Sequence, residues 1–99
     1  MTAITASCVI ELISGTGKNY GEFVIETPNT ADTGDTIVID LTKFGYNYLK
    51  HIVGDVHTTE NSVVEEEAPT TSVSSGTLTI TLGGSAASNY VRVFRVLVK

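Results

Sequence analysis

The sequence predicts an all-β fold: a compact β-sandwich or small barrel of about seven or eight antiparallel strands. Three observations lead there. Thr, Val and Ile number 15, 12 and 8, so 35 of 99 residues are β-branched, against 6 Ala and 6 Leu. Such side chains lose χ1 freedom in a helix and pack well on a pleated surface. Apolar residues recur with a period of two along most of the chain, and Gly, Asn, Asp and Pro clusters interrupt them at intervals of roughly 8–12 residues. The length is that of one domain, residues 1–99. With 41% hydrophobic residues and a mean hydropathy of +0.17, the chain is apolar enough to fold.

Ile4, Ala6, Cys8, Ile10 and Leu12 alternate with Thr5, Ser7, Val9 and Glu11, which predicts a first strand beginning near Ile4 with Cys8 on its buried side. Ser14 to Asn19 supplies a turn, and Phe23 and Ile25 face inward from a second strand that pairs with the first. Pro28, which cannot donate to a ladder, ends that strand, and a polar loop runs to Asp35. Ile37, Ile39 and Leu41 form the inner set of a third strand, followed by a segment with Phe44, Tyr46 and Tyr48 close together and a short helical turn among them. Leu49 to Thr59 reads as a strand bulged at Gly54. Residues 60–68 read as a charged, Val-rich edge, with Pro69 as its boundary. Ser72 to Gly76 is turn-like, and Leu78, Ile80 and Leu82 alternate with Thr77, Thr79 and Thr81. Gly83 to Asn89 is a loop, and the chain ends on a strand from Tyr90 to Lys99 that is apolar on both faces apart from its arginines.

The net charge of −5 disfavours nucleic acid and anionic membranes as partners. One cysteine excludes an intrachain disulfide framework and a multi-cysteine zinc site. No apolar stretch approaches the roughly 20 residues of a membrane-spanning helix, and Met1 is not followed by the basic and apolar regions of a signal peptide.

The candidate chemistry is thin. Gly15-Thr16-Gly17-Lys18 resembles part of a phosphate loop, but Leu12 and Asn19 occupy the positions that need Gly and Ser or Thr, and a hairpin turn explains the glycines. His51, Asp55 and His57 share one face of a regular strand. Asp55 and His57 would lie about 6–7 Å apart, with His51 roughly 13 Å further along, so solvated side chains are favoured over a metal site. Asp32-Thr33-Gly34-Asp35 lacks the spacing of a calcium loop and suits a turn held by its own Asp side chains. Cys8 has no neighbouring positive charge and reads as a core thiol. Two histidines without a nucleophile on a strained turn give no warrant for a hydrolase. No enzyme activity and no cofactor are expected.

Charge is distributed unevenly. Residues 1–89 hold three basic and eleven acidic side chains, net −8, whereas residues 90–99 hold Arg92, Arg95 and Lys99 and no acid. On the last strand Phe94, Val96 and Val98 form one alternating set and Val91, Val93 and Leu97 the other, with Arg92 and Arg95 in opposite sets. A strand apolar on both faces of so small a domain needs a second cover, most simply another subunit. Arg92, Phe94 and Arg95 are therefore expected at a subunit boundary, against Glu65, Glu66 and Glu67 of a neighbour, with pairing inside the same chain as the alternative. Arg92→Glu and Arg95→Glu are expected to leave the fold intact and weaken assembly.

Thr58 to Val64, Pro69 to Ser85 and the closing Arg92 to Val98 strand resemble small proteins of tailed viruses that act as head decoration or cement subunits. The resemblance covers roughly residues 58–98 and brings no catalytic or ligand residue with it. It implies a non-enzymatic subunit on the capsid surface of a virion, assembled in the host cytoplasm, with copies of itself, most simply a trimer, and the capsid protein as partners. The alternative is a sandwich that presents loops to a glycan or protein, with Phe44, Tyr46 and Tyr48 as a stacking platform.

Overall fold

In a computed structural model the described residues are 3–14, 20–59, 62–67, 69–83 and 90–99, without the side chains of 13, 14, 58, 59, 64 and 65. They form eight strands: β1 (Val9–Ser14), β2 (Gly21–Glu26), β3 (Thr36–Asp40), β4 (Leu49–Thr59), β5 (Ser62–Glu67), β6 (Thr70–Ser74), β7 (Thr77–Thr81) and β8 (Val91–Val98). A five-stranded sheet has the order β1-β2-β8-β4-β5, and a three-stranded sheet has the order β3-β7-β6. All strand pairings are antiparallel. The fold is the all-β sandwich that the β-branched composition predicts.

Period-two alternation becomes burial directly. Phe23 and Ile25 of β2 and Phe94, Val96 and Val98 of β8 meet Ile37 and Ile39 of β3 and Leu78 and Ile80 of β7, all buried. These residues are the core between the sheets, where apolar area leaves water at roughly 25 cal/mol per Å².

Three local expectations are corrected. The first strand begins at Val9, because Thr5–Ser7 form a 3₁₀ turn. That turn lets the Ile4 N–H donate to the Thr36 carbonyl at 2.8 Å and the Thr5 hydroxyl accept from the Val38 N–H at 2.8 Å. The segment thus satisfies the edge of β3 instead of lengthening β1. Ser72–Ser74 belong to β6, an edge strand exposed along its whole length, so it carries no burial signal of its own. The turn is only Ser75-Gly76, with φ of 51° and 78°. Positive φ at both central residues is what a two-residue type I′ hairpin requires.

β4 has the expected span, but its register shifts at Leu49/His51 and around His57 rather than at Gly54. Gly54 is instead a place of close approach. A Cβ there would lie 2.6 Å from the Phe94 ring and 3.2 Å from the Glu67 Cβ. The helical turn after β3 is Leu41–Phe44, capped by Asp40.

Candidate functional site

β8 positions the residues singled out in the terminal strand. Lying between β2 and β4, it sends Arg92, Phe94, Val96 and Val98 into the sandwich and Val91, Val93, Arg95 and Leu97 outward. Both alternating sets are in place, but the two arginines have opposite fates.

Arg92 is fully buried. Its Nε donates to Glu67 Oε1 at 3.0 Å, and its Nη1 donates to the carbonyls of Ala31 at 2.6 Å and Tyr90 at 2.9 Å. The other Glu67 oxygen accepts from the Gly83 N–H, while the Thr27 N–H donates to the Arg92 carbonyl and the Arg92 N–H donates to the Thr27 hydroxyl. This ion pair fastens β5, β8 and the loops around 27–31 and 83 at one end of the sandwich. Burying charge is tolerable only where the hydrogen bonds are made, and here they are.

The expectation that Arg92 and Glu67 meet across a subunit boundary is corrected: they meet each other inside one chain. Phe94 is likewise core and not surface, packed over Gly54. The sequence contained a signal for this, since Arg92 shares its alternating set with Phe94, Val96 and Val98.

Arg95 is exposed, and its Nη2 lies 2.7 Å from Glu22 Oε2 across the β2–β8 pair. Glu66 is exposed at the β5 edge, opposite Asp55 of β4. The Glu65 side chain lies outside the described residues.

The outward face of the five-stranded sheet is consequently mixed. Val24, Val91, Val93 and Leu97 are half-buried, while Val9, Val53 and Val63 are 56%, 47% and 56% exposed. A shallow depression of about 270 Å³ near its middle is lined by Glu22, His51, Val53, Arg95 and Leu97. Among the described residues no protein layer covers this face. By register, His51, Asp55 and His57 all lie on it, opposite Leu97, Val93 and Val91. No group of three metal-ligating side chains converges among the described residues.

The remaining candidates resolve locally. In the Asp32–Asp35 turn the Asp32 N–H donates to Asp35 Oδ2 at 2.9 Å, and the Asp35 N–H donates to the Asp32 carbonyl at 3.1 Å. Cys8 is partly buried against the core, and burial pushes its thiol up to about 11. Gly15 to Lys18 lie outside the described residues. Of the aromatic trio Tyr46 is buried, while Phe44 packs its edge on Phe23 at 5.0 Å. Tyr48 is 61% exposed, with Lys50 Nζ 5.5 Å from its ring centre. Tyr20, missed in the sequence, stands 5.5 Å below Lys99 Nζ. Its signal was its place beside Gly21, one residue before an alternating strand. No protein-family model, curated protein or solved structure matches this chain.

Proposed function

We propose that this chain is a non-enzymatic structural subunit of a virion, which decorates or cements a capsid through copies of itself and the capsid protein. The observation that carries this reading is the outward face of β2, β8 and β4, where half-buried valines and Leu97 in the middle of the larger sheet are not covered by any of the described residues. Apolar area of this kind marks a contact surface. The likeness of residues 58–98 to head proteins of tailed viruses supplies the setting. Mass spectrometry of purified particles tests it: the 10.5 kDa chain should be present in fixed ratio to the major capsid protein. Its absence from particles assembled in cells that express it would overturn the reading.

A second reading, a glycan-binding sandwich, is favoured by the exposed rings of Tyr20 and Tyr48 at one end of the sheet. A glycan array that is blank at high protein concentration would remove it.

A further inference from the structure

The outward face has a charge gradient along its strands. At one end Tyr48 and Lys99 exchange two backbone hydrogen bonds of 2.9 Å, and the Lys50 and Lys99 ammonium groups stand over Tyr48 and Tyr20. Toward the other end the register aligns Glu26, Val93, Asp55 and Glu66 in one row across four strands. That row holds three exposed carboxylates and no base. Between the two ends lie Val24, Leu97 and Val53, the Arg95–Glu22 pair, His51, and the exposed Glu11 of β1 at the sheet edge.

From this gradient we infer that the cover of the face is a second copy of the chain, related by a two-fold axis that runs in the plane of the face and across the strands. The inference rests on the reading of this face as a contact surface. A two-fold axis makes the same patch meet itself, so the patch must be self-complementary. With the axis across the strands, the lysine end of each copy lies over the acidic row of the other, and β8 crosses β8 in the antiparallel sense. With the axis along the strands, lysine would meet lysine and carboxylate would meet carboxylate, which like-charge repulsion opposes. The mixed middle falls on the axis in both cases, so the unpaired charge at the two ends selects the orientation.

Five strands spaced roughly 4.8 Å apart and about seven residues long make a plate of about 550 Å². Two copies therefore bury about 1,100 Å², close to the lower bound of a specific interface. The pairing is weak and salt-sensitive, as suits a subunit that also has to seat on a shell.

Sedimentation velocity of the full chain over a micromolar to millimolar range tests the pairing. The expected result is a concentration-dependent mass of twice 10.5 kDa that falls in high salt. Lys50→Glu with Lys99→Glu should weaken it about tenfold or more, as should Glu26→Lys with Glu66→Lys, while the two double variants mixed should pair with each other. Circular dichroism melts confirm that each variant is folded. Orientation is read in a Cys8→Ser background with a short bismaleimide. Lys50→Cys and Glu66→Cys should each resist self-crosslinking, and their mixture should crosslink. A wild type that is monomeric throughout, a trimer, or self-crosslinking of Lys50→Cys would overturn the inference. A chain that pairs but is missing from particles overturns the virion role alone; a monomer found in particles overturns the pairing alone.

Discussion

Replacing Glu67 with Ala would remove the carboxylate that the buried Arg92 Nε donates to, beside the Ala31 and Tyr90 carbonyls. Breaking a buried pair from one side costs about 3–5 kcal/mol, and urea denaturation of Glu67→Ala should show a loss of that size. Arg92→Glu would set carboxylate against carboxylate inside the sandwich, so the fold itself should fail by circular dichroism. That reverses the sequence-based expectation of an intact fold. Arg95→Glu stays folded, because its pair with Glu22 is on the surface, where such pairs contribute up to about 1 kcal/mol. Cys8 gives a test in pH. Its thiol is raised from 9.0 to about 11, so the folded state holds the proton more tightly than the unfolded chain. Stability from this group is complete below about pH 9 and declines as pH climbs toward about 11. A bulky thiol reagent near pH 8 should therefore label native protein far more slowly than urea-unfolded protein.

Strands β4 and β8 are coupled through one missing methyl group. Gly54 lies opposite Phe94 in the ladder, and the Phe94 ring occupies the space that a Cβ would need. Gly54→Ala must displace a buried ring from its rotamer, an overpacking that costs about 1–3 kcal/mol and should be read as a lower urea midpoint. The β6–β7 hairpin is governed by backbone conformation instead of packing. Ser75 holds a φ of 51°, a region that Asn enters more readily than Ser, so Ser75→Asn should raise the melting temperature slightly. Ser75→Val should lower it, because a β-branched residue at positive φ is strained.

At the scale of the molecule, β8 is the member on which both the core and the outward face depend. It joins β2 to β4, places Phe94, Val96 and Val98 between the sheets, and brings Arg92 to the ion pair at one end. Deleting residues 90–99 divides the five-stranded sheet and empties part of the core. Far-UV circular dichroism of that truncation should show loss of the native β signal, whatever the chain's assembly state.

Much of this architecture is legible in the residues because a strand has only two faces. Period two separates Phe94, Val96 and Val98 from Val91, Val93 and Leu97, and it puts Arg92 with the buried set, with no knowledge of strand order. The same period recovers the inner residues of β2, β3 and β7 and the span of β4. What alternation cannot supply is the identity of a partner across the sheet. Glu67 reaches Arg92 over 25 residues of sequence only because β4 lies between β5 and β8. Gly54 reads as a bulge until Phe94 is seen against it, and Thr5–Ser7 read as strand until β3 presents an edge to be capped. The gradient from Lys50 and Lys99 to Glu26, Asp55 and Glu66 likewise arises from four strands in register, a relation set by tertiary hydrogen bonds and not by any one segment. The side chains alone determined what each strand buries; which charges meet was decided only when the sheets assembled, because opposite charges attract through space and not along the chain.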